Sequence, residues 1–226
     1  MSLPQAILIH GALGNAHQMK ALEQRLSSNF NVSIFEIPYH GYNASIDYAK
    51  FNMVSFAEAL IHFILNKKIE HATVFGYSMG GYLALTAEFL HQGLFSSIIT
   101  LGTKFNWTPE TAAAETRKLN AEKIREKVPA YALHLESNFG AMWVEVLNAT
   151  AMLMTQLGDN KILNDDLLPS IKLPVTILLG DKDSMVTSDE SENFASKLPQ
   201  GSFNILPETE HPFEKVNLDL IVPFII

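Results

Sequence analysis

Six short apolar runs, separated by longer amphipathic stretches, are what most constrain the folding of this chain. The runs Ala6–His10, Val32–Ile37, Ala72–Gly76, Ser97–Leu101, Val175–Gly180 and Ser202–Leu206 are each the length of one strand. Their apolar character is nearly continuous rather than alternating, as expected for strands covered on both faces. Between them lie helix-patterned stretches at Ala16–Ser28, Phe51–Asn66, Met79–Gln92 and Ser188–Leu198, with a last one near Phe213–Phe224. Strand–helix alternation of this kind predicts an α/β fold, a mostly parallel open sheet of about six strands flanked by helices. In such sheets a site lies at the carboxyl ends of the strands.

One region breaks the alternation. From about Thr103 to Asn164 the chain reads as helix only. Thr108-Pro109-Glu110 is a helix start, with a capping hydroxyl, a proline in the first turn and an acid at the positive dipole end. Pro129 should interrupt the helical pattern, and the apolar stripe Met142, Trp143, Val146, Leu147, Met154 and Leu157 should end at Gly158. This predicts a core formed by residues 1–102 and 165–226, with residues 103–164 inserted as a helical cap over the strand ends.

Composition narrows the function classes. The chain has 226 residues, 47% of them apolar and 18% charged, and a formal net charge of -8. A folded acidic protein repels phosphate backbones, so nucleic acid is not an expected partner. It has no cysteine, which excludes disulfides, a thiol nucleophile and thiolate metal sites. No apolar stretch approaches the ~20 residues that cross a bilayer. The beginning of the chain, MSLPQAILIHGALG, lacks a basic segment followed by a long apolar run, so a cytoplasmic location is the expectation. His17, His62, His71, His91 and His134 show no metal-ligand spacing, so neither a metal nor a cofactor is expected. No particular oligomeric state is implied.

The chemistry-bearing residues cluster at predicted strand ends. Gly76-Tyr77-Ser78-Met79-Gly80 follows one apolar strand and opens an amphipathic helix. A nucleophilic serine needs a sharp strand-to-helix turn, and flanking glycines leave room for it. The start of the helix brings the Met79 backbone N–H beside a developing oxyanion. His10-Gly11-Ala12-Leu13-Gly14, after the first strand, offers a second such donor at Ala12, and His10 reads as a brace for this loop. Gly180-Asp181-Lys182-Asp183 closes the fifth strand with two carboxylates, and His211 follows the sixth. The order Ser, Asp, His fits a triad in which Ser78 is nucleophile and His211 base. Either Asp183 or Asp181 can orient the base. Glu210 reads as a solvated neighbour.

These motifs together resemble the α/β-hydrolase superfamily, in the group of small capped esterases. The resemblance is carried by HGALG, PYHG, GYSMGG, IKLPVTILLGDKDSMV and ETEHPF, which span nearly the whole chain outside the insertion. It implies that Asp183, three residues before Val186, is the acid. It also implies a sheet without the leading strands common in the family. In PYHG, Tyr39 stands where the family has glycine, and His40 reads as structural. The implied activity is hydrolysis of a small or medium carboxylic ester through an acyl-enzyme. Thioester hydrolysis, carbon–carbon bond hydrolysis, lyase chemistry and a non-catalytic binding role remain open alternatives on the same scaffold. Leu13, Tyr77, Phe105, Trp107, Trp143 and Val186 are the candidate substrate-pocket residues. The basic stretch Arg117, Lys118, Lys123, Arg125 and Lys127 is interleaved with glutamates and reads as a solvated helix face.

Overall fold

The computed structural model describes residues 3–226; residues 1 and 2, assigned to the core from the sequence, lie outside it. Six strands, β1 (Gln5–Ile9), β2 (Asn31–Phe35), β3 (Ala72–Tyr77), β4 (Phe95–Leu101), β5 (Val175–Gly180) and β6 (Gly201–Leu206), form one sheet in the order β2-β1-β3-β4-β5-β6. Every neighbouring pair is parallel. The apolar runs are therefore strands to within two residues, and β5 begins and ends where the sequence placed it.

The strand order reverses between β1 and β3. The chain steps outward from β1 to β2, then returns past β1 to β3 and continues the other way. Right-handed crossovers then put the connecting helices on opposite faces and leave a crevice at the carboxyl ends of β1 and β3. The two glycine-bearing loops, after Ile9 and after Tyr77, face each other across that crevice.

Helices cover both faces. α1 (Lys20–Leu26), preceded by a 3₁₀ turn at Ala16–Met19, buries Met19, Leu22 and Leu26 against Ala6, Leu8, Phe75 and the C-terminal segment. α2 (Met53–Lys67) and α3 (Met79–Leu90) bury Phe56, Leu60, Ile64, Leu83 and Leu85 against Ile7, Val74 and Ile98 on the other face. The Asn52 side chain caps α2 by accepting the Ser55 amide. The predicted helix near Phe213–Phe224 is a correction: the segment holds two 3₁₀ turns, Phe213–Lys215 and Leu218–Leu220, and only a short α-helix, Val222–Ile225. Val216 and Asn217 between the turns are extended, and the Asn217 side chain takes the Asp219 amide, competing with helical bonding.

Between β4 and β5 the chain is helical: α4 (Pro109–Thr116), α5 (Ala121–Lys127), α6 (Pro129–Phe139) and α7 (Trp143–Asp159). Thr108 and Thr111 cap the start of α4 reciprocally, and Pro129 separates α5 from α6 by opening the latter. Gly158 does not end α7, which runs one residue further. A Cβ there would lie 2.6 Å from Ala112 Cβ and 2.8 Å from Thr108 O, so the glycine lets α7 pack directly on α4. The insertion has a small core of its own, with Leu135, Phe139, Trp143, Val146 and Leu147. It is tied to the β2–α2 loop by Asn43, whose amide donates to Phe139 O and whose Oδ1 accepts the Ala141 amide. Among the described residues no helix is long and apolar enough to cross a membrane.

Candidate active site

Ser78 sits between β3 and α3 with φ 50° and ψ -116°, a conformation that a residue with a side chain adopts only under constraint. The constraint is visible on three sides. Ser78 N donates to Leu101 O at 2.8 Å, Gly81 N donates to Ser78 O at 3.1 Å, and Thr103 Oγ1 donates to the same carbonyl at 2.9 Å. A Cβ on Gly76 would lie 2.5 Å from the Gly80 and Gly81 backbone, and one on Gly80 would lie 2.5 Å from Ile9 O. The two glycines are thus required by the closeness of the elbow to itself and to β1.

The segment after β5 holds Asp183 in place. Its Oδ1 accepts the amides of Met185 (2.8 Å) and Val186 (3.0 Å), and its Oδ2 lies 2.7 Å from His211 Nδ1. The carboxylate is nearly fully buried, with 2% of its side-chain surface exposed. Asp181, the alternative acid, turns away: its Oδ1 accepts the Thr209 amide, and backbone hydrogen bonds from Glu208 and Thr209 hold its pKa below the usual carboxylate value. Glu210 pairs with Lys215 at 2.7 Å on the surface. Among the described residues, Asp183 is the one acid within hydrogen-bond distance of the His211 imidazole.

Ser78 and His211 line one cavity of about 50 Å³, together with Ala12 and Met79, and no hydrogen bond joins the two side chains directly. Among the described residues, neither the Ala12 nor the Met79 N–H donates to another protein group. Both amides are thus free to serve an oxyanion beside Ser78. His10 braces the first of these loops: it accepts the Ile37 amide at Nε2 (3.0 Å), which leaves the proton on Nδ1 to be donated to Gly11 O at 2.8 Å. Burial, reinforced by nearby His40, lowers the His10 pKa to about 3, and burial lowers His40 to about 4. Both rings are neutral structural pieces, with His40 packed among Phe51, Phe56 and Phe139.

Of the six candidate pocket residues, Trp107 and Val186 line the cavity. The other four do not line it. Phe105 is stacked on Phe194 with centroids 3.7 Å apart, in the body of the protein. Trp143 belongs to the insertion's core and carries Arg125 over its ring at 4.7 Å. Leu13 packs into that same core. Tyr77 points behind the site, where its hydroxyl donates to His211 O at 2.9 Å. Each is apolar or aromatic and lies beside Ser78 in sequence, in the insertion or, for Leu13, in the loop after β1; that is why pattern alone could not separate them from true lining residues.

The cavity walls also include residues the sequence did not single out, Met53, Tyr82, Gly102, Lys104, Glu115, Leu153 and Met185, with Met154 and Leu157 from the apolar stripe. Gly102 had a usable signal, because it directly follows a strand end. Lys104 is tied to Met185 O at 3.3 Å and to Glu190 at 3.6 Å, and Glu115 pairs with Lys118 at 2.8 Å. Among the described residues, no three His, Asp or Glu side chains gather as metal ligands.

A parallel sheet with its order reversed at β1/β3, a serine elbow after β3 and an Asp–His pair after β5 and β6 define a class. The family model for the alpha/beta hydrolase fold matches residues 7–151, well over half of the chain, and the protein belongs to that family. It is similar to the pimeloyl-[acyl-carrier protein] methyl ester esterase of Photorhabdus laumondii subsp. laumondii, at 26% identity over 105 residues, 46% of this chain and 38% of that one. It is also similar to ethanol acetyltransferase 1 of Kluyveromyces lactis, at 26% identity over 91 residues, 40% of this chain and 25% of that one. The chain thus matches well under half the length of either curated relative. A solved structure of a thermophilic esterase from Thermogutta terrifontis superposes with a TM-score of 0.77 at 20% identity, covering 99% of this chain and 89% of that one. At that identity the likeness speaks for the fold.

Proposed function

We propose that the protein hydrolyses a small, uncharged carboxylic ester through an acyl-enzyme, with Ser78 as nucleophile, His211 as base and Asp183 orienting the base. The observation that carries this reading is the sharing of one cavity by Ser78, His211 and two unengaged amides, while Asp183 lies 2.7 Å from the far nitrogen of His211. In this mechanism His211 Nε2 takes the Ser78 proton as Oγ bonds to the carbonyl carbon. The carbonyl oxygen becomes an oxyanion held by the Ala12 and Met79 N–H groups. The alcohol departs with the proton from His211. Water, deprotonated by the same imidazole, then releases the acid and restores Ser78.

Residues 103–164 act as a cap in this reading, which is supported by the positions of Trp107, Leu153, Met154 and Leu157 in the cavity wall. The acyl group is short. A cavity of about 50 Å³ walled largely by Met53, Tyr82, Trp107 and Leu153 suits a few carbons, and its two charged wall residues, Lys104 and Glu115, are already paired with Glu190 and Lys118. The basic stretch from Arg117 to Lys127, across the α4–α5 connection and α5, does not argue for a phosphate-bearing substrate, since Lys118 pairs with Glu115 and Arg125 lies on Trp143. Ester hydrolysis is also the named activity of the Photorhabdus laumondii protein and of the Thermogutta terrifontis enzyme to which this chain is similar.

The test is a fluorophosphonate probe with a series of p-nitrophenyl esters of rising chain length. The probe should label the wild type and not Ser78→Ala, and Ser78→Ala should lower turnover by about 10⁶, as triad deletions do elsewhere. Acetate and propionate should outpace octanoate. Unlabelled Ser78, or residual turnover within about tenfold of the wild type, sinks the assignment. Labelling with little turnover of either these esters or acyl-CoA thioesters would move the reaction to carbon–carbon cleavage or elimination. Ester formation on adding ethanol would make the acyl-enzyme a transfer intermediate.

A further inference from the structure

We propose that Tyr77 is a positioning residue that fixes the base relative to the oxyanion loop, an inference that rests on the triad reading above. Tyr77 is the last residue of β3, bonded covalently to Ser78, and is buried. Its ring lies against three segments at once. On one side is Gly11, where a Cβ would come within 2.7 Å of Tyr77 Cε1 and 2.8 Å of Cδ1. On the other are His211, with ring centroids 5.5 Å apart, and Phe213, at 5.2 Å. The phenol donates to the backbone oxygen of His211 at 2.9 Å.

That bond matters because of how little else holds His211. Among the described residues, the imidazole is bonded to Asp183 and the His211 peptide oxygen to Tyr77, and His211 makes no other hydrogen bond. Pro212 follows and brings no N–H. Asp183 fixes the rotation of the ring about its own axis and one in-plane direction. The height of the ring above the sheet is set by the backbone that carries it, and among the described residues Tyr77 is the only side chain hydrogen-bonded to the backbone of His211 itself. Burial, with the negative charges of Glu214 and Asp183 nearby, raises the pKa of the phenol and keeps it a donor throughout the working pH range. The same ring fills the space where a side chain on Gly11 would go, so the loop bearing Ala12 and the base are packed against one wall. General-base catalysis requires the nitrogen within hydrogen-bond reach of the hydroxyl proton, and a displacement of about 1 Å can cost about 10² in rate.

Tyr77→Phe tests this, since it keeps the ring and its packing and removes the donor. The expected result is a kcat lower by about tenfold with KM within about twofold, on a protein that melts as one cooperative unit. The low-field proton resonance of the His211 Nδ1–H, sharp in the wild type, should broaden in Y77F as the imidazole gains freedom; a merely structural tyrosine would not move it. Wild-type kcat and an unchanged resonance in Y77F would overturn the inference while leaving the triad intact. A Y77F chain that no longer folds would overturn it too, by making the hydroxyl a folding element. If wild-type Ser78 takes no fluorophosphonate, it is the triad reading that fails, and Tyr77 is not at issue.

Discussion

Asp183 divides its carboxylate between two tasks: Oδ2 lies 2.7 Å from His211 Nδ1, and Oδ1 accepts the amides of Met185 and Val186. The second task makes the first exact, because an acid held by two backbone donors cannot rotate away from the imidazole. Asp181, two residues earlier, spends its oxygen on the Thr209 amide and never faces the site.

The two aspartates should therefore separate cleanly under substitution. Asp183→Asn keeps the shape but offers the imidazole the wrong hydrogen-bonding partner, and kcat should fall by about 10⁴, the scale seen for this change in serine-protease triads. Asp181→Asn, at an exposed carboxylate, should stay within about threefold of wild type. Steady-state kinetics on p-nitrophenyl acetate measures both. A larger loss for Asp181→Asn than for Asp183→Asn would reverse the assignment.

Gly102 backs the Asp183–His211 pair. It has φ +61°, and a Cβ added there would lie 3.2 Å from both Asp183 Oδ2 and His211 Nδ1. Gly102→Ala should cost about 1 kcal/mol of stability through backbone strain alone. Crowding of the pair should add a loss of roughly 10–100-fold in kcat. Thermal unfolding and kcat, measured on the same preparation, read the two effects apart; an alanine variant with full activity would show that the pair has slack.

Trp107 and Phe105 are close in sequence and differ in role. Trp107→Ala removes part of the cavity wall, so the ratio of kcat/KM for hexanoate over acetate should rise by about tenfold or more. Phe105→Ala breaks the stack on Phe194 and should destabilise the fold by about 3–5 kcal/mol while leaving that ratio alone. Equal ratios in W107A and wild type would place the acyl group elsewhere.

His10 and His40 give the fold an acid sensitivity whose sign follows from their lowered pKa values. The unfolded chain protonates both near pH 6.5, whereas the folded chain does so only at about 3 for His10 and about 4 for His40. Between these limits the unfolded state binds more protons, so stability is full above pH 6.5 and is lost as pH falls, by up to about 1.4 kcal/mol per pH unit for each ring. His40→Phe retains an aromatic ring among Phe51, Phe56 and Phe139 and removes one titrating group. Urea unfolding at pH 7 and pH 5 should show the variant losing about 2 kcal/mol less than wild type over that interval. Parallel losses in the two proteins would mean that His40 is hydrated or paired when folded.

Much of the candidate site was legible because its residues sit where strands stop. Ser78, Asp183 and His211 follow β3, β5 and β6, and Ala12 follows β1, so a list of apolar runs already lists the positions that reach one edge of a parallel sheet. The pocket was not legible in the same way. Tyr77, Phe105, Trp107 and Trp143 are all aromatic, and what each one faces depends on helix orientations and on contacts far away in the chain. Phe105 meets Phe194, Tyr77 meets His211, and Trp143 meets Arg125, and nothing local in the sequence encodes the first two.

Ser78 shows the division most clearly. Its sequence alone determined an elbow, since glycines at positions 76 and 80 between a strand and a helix permit a turn that bulkier residues would block. Strand periodicity and turn chemistry are local, and local rules reach that far. Only the tertiary structure decided which aspartate lies within hydrogen-bond distance of His211, that the Tyr77 hydroxyl reaches the His211 backbone, and how small the cavity beside the serine is. Those are outcomes of packing between segments more than a hundred residues apart in part, where each side chain takes the one place its neighbours leave it.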